Sequence, residues 1–312
     1  MRDIDIVVVG ELNADLVLSG DVAPSFGQVE KLVDDASLTL GSSSAIFACG
    51  AARLGLRVAF VGLVGNDALG QFVLACLQER HVDTRAVIID PQYKTGLTVI
   101  LSRGNDRAML TYPGSIAALR YEQIDEATLQ RARHLHLGSY FLQTALRPDV
   151  PVLFAQARSL GLSVSLDTNY DPQERWEGLD RVLKHVDLFL PNQTEACAIS
   201  NTRDTGTALA ALASQVPTVA IKCGAAGALA QHGITRVDMP VPKVAVVDTV
   251  GAGDSFDAGF VYGMLAGWNI EESLRLAVRC GALSTRAAGG TAAQATLQEA
   301  MQHESIAFAT SP

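Results

Sequence analysis

Short β-branched runs alternate with alanine-rich stretches along this chain. Residues 4–9, 58–61, 135–137, 163–166, 188–190 and 218–221 read as buried strands. Helical spacing runs through 45–54, 68–80, 152–160, 194–199 and 207–213. Gly55 and Gly161 stop two of these helices, because glycine readily takes the left-handed conformation that ends one. Strands separated by helices predict an α/β fold, a mainly parallel sheet covered on both faces. Two segments break the pattern. Residues 12–40 hold no good helix and carry Gly20, Pro24 and Gly27. Residues 95–111 read as two strands around the turn Arg103-Gly104-Asn105-Asp106. Together they predict a small β layer apart from the main sheet. There is no internal repeat, low-complexity tract or linker, and the tail 309–312 is expected to fray.

The chain has 312 residues, enough for one large α/β domain or two smaller ones. With 48% hydrophobic and 18% charged residues, it can bury a sizeable core. Lys and Arg total 24 against 33 Asp and Glu, a net charge of −9. That balance argues against nucleic acid as the main partner, since phosphate backbones need a basic face. The apolar start is too short for a signal segment, and no run of 18 apolar residues suits a membrane. Cys49, Cys76, Cys197, Cys223 and Cys280 are odd in number and widely spaced, which suggests neither a disulfide framework nor a zinc knuckle. A reducing, cytoplasmic setting is the simplest expectation.

The chemistry concentrates in Asp248-Thr249-Val250-Gly251-Ala252-Gly253-Asp254-Ser255-Phe256-Asp257-Ala258-Gly259-Phe260. This string follows the apolar run 244–247 and opens a helix-like run ending near Gly267. Gly251-Ala252-Gly253 then sits at a helix N-terminus, where close backbone approach, free amides and the macrodipole favour an anion. Asp254 lies in the first turn beside that site. A carboxylate there is awkward for simple phosphate binding and apt as a base for an attacking hydroxyl. A glycine turn with an N-capping aspartate fits a shorter Gly-x-Gly-Asp equally well.

The full string resembles the C-terminal signature of the ribokinase-like (PfkB) carbohydrate kinase family, and the resemblance extends over nearly the whole chain. It implies a three-layer α/β/α domain spanning 1–312, with a β-sheet lid formed by about 12–40 and 95–111. It implies ATP and Mg²⁺ as cofactors, a sugar or nucleoside as acceptor, Asp254 as general base and the amides of Gly251, Ala252 and Gly253 as anion hole. Gly10-Glu11-Leu12-Asn13-Ala14-Asp15 is similar to the family's first-strand segment, which places Asn13 and Asp15 at the sugar. Residues 61–70 resemble a largely structural element. Pro191-Asn192-Gln193-Thr194-Glu195 matches the N-x-x-E motif, so Asn192 and Glu195 are expected to position Mg²⁺ through water. Magnesium's preference for oxygen ligands fits this, and the same spacing also makes a capping box. The resemblance places Lys222, Gly224 and Gly227 beside the nucleotide and Ala282 on its adenine side. It allows Asp248 and Thr249 a monovalent-cation (K⁺) site near the loop, and a homodimer through the lid.

Two departures stand out. The family's G-G-x-x-x-N reads Gly41-Ser42-Ser43-Ser44-Ala45-Ile46 here, so Ile46 replaces a hydroxyl-binding asparagine. Gly41, Ser42 and Ser43 remain candidates for substrate contact, although the serines also suit a helix cap. In Asp167-Thr168-Asn169-Tyr170-Asp171 the final position is often arginine in the family. Asp171 there would repel a substrate carboxylate, and Asn169 stays a substrate-side candidate. Ser139 and Tyr140 suit either a sugar pocket or core packing. His134 and His136 share one strand face but lack a third metal ligand nearby. Arg103 and Arg107 flank the lid turn, where solvated charges are expected. A dinucleotide oxidoreductase is disfavoured because no glycine lies within 11–15, and a P-loop kinase because no Gly-x-x-x-x-Gly-Lys-Ser/Thr occurs. A sugar- or nucleotide-sensing protein on the same fold is the alternative class.

Overall fold

The computed structural model describes residues 2–103 and 106–302. The tail 309–312 and the two central residues of the 103–106 turn lie outside the described residues.

The strands are β1 (Ile6–Val9), β2 (Asn13–Ser19), β3 (Asp35–Leu40), β4 (Val58–Val61), β5 (Leu63–Gly65), β6 (Ile88–Asp90) and β7 (Gly96–Arg103). They continue as β8 (Asp106–Tyr112), β9 (His134–Leu137), β10 (Ser163–Leu166), β11 (Leu188–Phe189), β12 (Thr218–Lys222), β13 (Ala228–His232) and β14 (Thr235–Met239). The helices are α1 (Ser43–Arg53), α2 (Ala68–Glu79), α3 (Glu126–Gln130), α4 (Val150–Ser159) and α5 (Leu179–Val182). After them come α6 (Gln193–Ser200), α7 (Thr205–Ala213), α8 (Ala252–Leu265), α9 (Ile270–Ser284) and α10 (Leu297–Gln302).

The main sheet runs β14-β13-β12-β11-β10-β9-β1-β4. Its strands pair in parallel from β12 to β4, while β13 and β14 are antiparallel. β1 and β4 are buried on both faces and read as continuous apolar runs, whereas β9 and β10 bury His134, His136 and Ser165 among their apolar residues. On β1, Ile6 and Val8 join one core with Phe47, Phe60, Phe256 and Leu274, and Val7 and Val9 join the other with Leu135, Leu153, Leu166 and Leu209. Period-2 geometry divides the strand between two helical layers.

The segments that broke the helical pattern form a separate sheet in the order β3-β2-β7-β8. Arg103 pairs with Asp106 across the expected hairpin. A two-stranded pair, β5 with β6, completes the sheets. One feature differs from expectation. The β13–β14 hairpin was not anticipated, since Ala228–His232 lacks a β-branched stripe. The run 244–247 is no strand, and Val246 and Val247 are 61% and 65% exposed.

His134 and His136 form no metal site. His134 meets the Ser163 and Ser165 hydroxyls at 2.8 and 2.7 Å, and His136 meets Ser165 at 2.8 Å and stacks on Phe47. Both rings stay neutral because burial penalises their charged form. All five cysteines are free thiols. No described helix is long and apolar enough to cross a membrane.

Candidate active site

Two helix N-termini converge at the carboxyl ends of the parallel strands. Gly251 caps α8 at φ 71°, and a Cβ there would lie 2.6 Å from the Gly290 Cα and 2.9 Å from the Ile46 Cγ2. Both conformation and space demand glycine. Among the described residues, no acceptor meets the Gly251 or Gly253 amide. The expectation of three free amides needs one correction: the Ala252 N–H donates to the Thr249 carbonyl at 3.3 Å.

Asp254 stands in the first turn of α8 and accepts a short hydrogen bond from the Ser43 hydroxyl. Ser43 opens α1, so the starts of α1 and α8 face each other across this contact. Loss of solvent, reinforced by the Asp167 charge, lifts the Asp254 carboxyl to about 7.

Behind it lies a charged knot in which Asp167 and Asp257, absent from the sequence-level candidates, join Asp254 and Lys222. Carboxylate oxygens of Asp167, Asp254 and Asp257 all lie within 4.8 Å of one another. The Lys222 ammonium donates to Asp167 at 3.0 Å and to Asp257 at 2.9 and 3.1 Å. Lys222 was expected beside the nucleotide, yet its side chain turns inward. Burial alone pulls that ammonium down in pKa, but Asp167 and Asp257 hold it above the ordinary lysine range. Asp257 is one helical turn from Asp254, a spacing that puts both on one face of α8. Asp167 is the first residue past β10, where ligand sites of parallel sheets gather.

Asn192 and Glu195 form a complete capping box at α6. The Asn192 amide N–H donates to Glu195 Oε2 at 2.8 Å, and the Glu195 N–H donates to Asn192 Oδ1 at 3.0 Å. Burial and the neighbouring Asp167 charge lift Glu195 to about 7. Asp248 accepts from the Val250 amide at 3.0 Å and the Gly289 amide at 2.9 Å, tying two loops together. Thr249 is exposed beside it. Gly224 and Gly227 flank the turn after β12 at φ 56° and 97°. Ala282 is buried on α9, and its carbonyl accepts from the Thr285 amide, while the exposed Val247 donates its N–H to the Thr285 carbonyl.

Asn13 and Asp15 sit on β2, and the Asn13 side-chain amide donates to Asp15 at 2.8 Å. Burial, with a contribution from Glu11, lifts Asp15 to about 6. A Cβ on Gly41 would lie 2.2 Å from the Asp15 Oδ1, so only glycine admits this approach. The exposed Arg107 lends its charge to Asp15 from the hairpin. Asn169 is half-buried after β10, and its Nδ2 donates to the Ser139 hydroxyl at 2.7 Å.

Ser42 caps α1, accepting from the Ala45 amide at 2.9 Å and donating to the Glu11 carbonyl at 2.6 Å. Three further residues singled out in the sequence have these surroundings. Ile46 is buried against Gly251 and Gly290. Tyr140 lies in the core, edge-on to Phe141. Asp171 does not present its charge to a ligand, because it accepts from the amides of Gln173, Arg175 and Trp176 at 2.8–2.9 Å.

Comparison with known proteins places this geometry. The sequence profile of the pfkB family carbohydrate kinases matches residues 3–297. An uncharacterized sugar kinase of Archaeoglobus fulgidus is 33% identical over 231 residues, 73% of this chain and 90% of that one. A fructokinase of Salmonella typhimurium is 30% identical over 272 residues, 81% and 88% of the two chains. A ribokinase of Arabidopsis thaliana, solved with ribose and ATP, superposes with a TM-score of 0.84 at 23% identity, covering 96% and 98%. The chain therefore belongs to the pfkB family of carbohydrate kinases. It is a phosphotransferase with a hydroxyl acceptor.

Proposed function

We propose that this enzyme moves the γ-phosphoryl group of ATP to a hydroxyl of a sugar or nucleoside, with Asp254 as the base. One observation carries the reading: a carboxylate lifted to about 7 adjoins the Gly251 and Gly253 amides, which meet no acceptor among the described residues. Asp254 takes the hydroxyl proton as the oxygen attacks phosphorus, and the leaving group is ADP. The Gly251 and Gly253 amides hold the phosphoryl oxygens by position alone.

Asn13, Asp15, Gly41, Ser42, Ser43 and Asn169 form the acceptor side. Gly224, Gly227, Thr249 and Ala282 form the nucleotide side, where the exposed Val246 and Val247 offer apolar surface to a purine. Lys222 acts from below, through Asp167 and Asp257. An all-oxygen donor set around Glu195, Asn192 and the aspartates fits Mg²⁺. When bound there through water, Mg²⁺ would neutralise phosphate charge. Asp248 is the candidate for K⁺.

The sheet β3-β2-β7-β8 serves as the lid over the acceptor. Leu38, Met109, Leu110 and Tyr112 are exposed on it, which favours a homodimer through this sheet. Sedimentation equilibrium tests that, and a single 33.0 kDa species removes it. The cytoplasm suits five free thiols.

The test is ADP release over ribose, fructose, other ketoses and nucleosides with Mg²⁺–ATP, with and without K⁺. Turnover on at least one acceptor is expected. Binding without turnover on every acceptor would instead favour the sensor reading.

The pH profile gives a second check. Only the ionised carboxylate accepts a proton, so kcat/KM should climb with pH and level off above about 7, falling about tenfold per unit below that. A profile flat from about pH 5.5 to 8 removes the titrating base.

A further inference from the structure

Glu11 was not among the sequence-level candidates, and the proposed phosphoryl transfer does not use it. It follows β1 and is 3% exposed, and among the described residues it forms no salt bridge. Its carboxylate instead collects donors. The Ser44 hydroxyl donates to Oε2 at 2.5 Å, the Ser139 hydroxyl to Oε1 at 2.9 Å and the Ser44 amide to Oε1 at 3.4 Å, while the Ser42 hydroxyl, whose proton goes to the Glu11 carbonyl at 2.6 Å, lies 3.1 Å from Oε1.

Three residues on this network hold positive φ without being glycine: Ser42 at 70°, Ser139 at 50° and Asn169 at 52°. Each conformation is disfavoured for a residue with a side chain and persists only where its surroundings impose it. They begin α1, follow β9 and follow β10, so the network ties together three loops of the acceptor side.

The donors also fix a direction. The Asn169 Nδ2 can only donate, and it gives a proton to the Ser139 oxygen. Ser139 then spends its single proton on Glu11. This leaves the Asn169 Oδ1 as the free end of the amide, an acceptor.

We propose that Glu11 is a positioning residue for the phosphoryl acceptor: its carboxylate clamps the Ser42, Ser139 and Asn169 loops and orients the Asn169 carbonyl oxygen to accept from a substrate hydroxyl. The clamp supplies polar order on the side where Ile46 cannot hydrogen-bond. The substrate half of this inference rests on the proposed acceptor side, whereas the clamp does not.

Hydrogen exchange of wild type against Glu11→Gln tests the clamp without any substrate. The glutamine keeps the shape, but its amide nitrogen cannot accept from whichever of the Ser44 and Ser139 hydroxyls faces it, and its neutral oxygen holds the other more weakly than a carboxylate does. Protection should fall together, at least tenfold, at 42–45, 139–142 and 169–171. Unchanged protection, or loss at one segment alone, overturns the clamp.

Ser139→Ala cuts only the Asn169 branch and covers the case in which Glu11→Gln fails to fold. It should loosen 169–171 and leave 42–45 protected; loss at neither segment or at both overturns the relay. With the sugar that the acceptor panel shows to be turned over, Ser139→Ala should raise the acceptor KM about tenfold, the size of one lost hydrogen bond to a charged chain, with ATP KM within twofold. Equal changes in both KM values, or none, overturn the orienting role. If wild type turns over no sugar or nucleoside, the proposed function fails, while the exchange results still decide the clamp.

Discussion

Asp254→Asn is expected to lower kcat by about 10²–10⁴-fold, the usual size of base catalysis, and to raise stability at the same time. The two effects share one cause. The folded carboxyl titrates near 7, far above an unfolded aspartate near 3.8. Its ionised form is therefore disfavoured in the folded state, and this cost is complete above about pH 7 and vanishes as pH falls toward 4. Asparagine removes the charge and can still accept from Ser43. The urea midpoint of the variant should exceed that of wild type near pH 8, and the two should converge in acid. ATP binding, followed by calorimetry, should persist. Turnover within tenfold of wild type would take the base role from Asp254. A lower midpoint near pH 8 would show that the site stores no electrostatic strain.

Lys222→Met should destabilise the fold severely. The ammonium is the only cation bonded to Asp167 and Asp257 among the described residues, and both carboxylates are almost fully buried. Removing one partner of a buried pair costs about 3–5 kcal/mol, because the remaining charges lose their compensation. The loss must depend on pH. Without Lys222 the folded pKa values of Asp167 and Asp257 rise, so the damage is greatest near pH 8 and shrinks as protons neutralise them in acid. Lys222→Met/Asp257→Asn should recover part of the loss. The limb of kcat/KM should also move to higher pH, since Lys222 lowers the pKa of Asp254. Equal midpoints for Lys222→Met and wild type near pH 8 would show the knot to be energetically idle.

Much of this architecture was readable because the chain is locally consistent. The strands β4 and β10 fall on the predicted residues, and the other parallel strands end within two residues of expectation. β1 and β4 carry unbroken apolar runs that are hard to mistake, and β10 stands out as a short strand bounded by Gly161 and the loop after Leu166. The β13–β14 hairpin escaped because its residues, Ala228 through His232, owe their extended form to pairing with β12 rather than to their own preference.

The site was legible where one string holds its parts. Asp254 and the helix-start glycines are contiguous, so spacing alone joined them. Asp257 stands one turn along the same helix, but an aspartate by itself does not announce the lysine it meets 35 residues away. Asp167 and Glu11 were hidden for the same reason, because their roles depend on partners 55 and 128 residues away. Asp171 shows the converse. Its type suggested repulsion of an acid, whereas three nearby amides already satisfy it.

Ile46 carries a lesson for altering what this kinase accepts. Its methyl groups fill the hollow left by two residues without side chains, Gly251 and Gly290, so it doubles as the wedge that seats the phosphate loop against α1. Grafting asparagine back would strip that wedge while adding a polar head. With the Gly251 loop in its proposed phosphate role, acceptor range is welded to the seating of that loop, and retuning one means rebuilding the other.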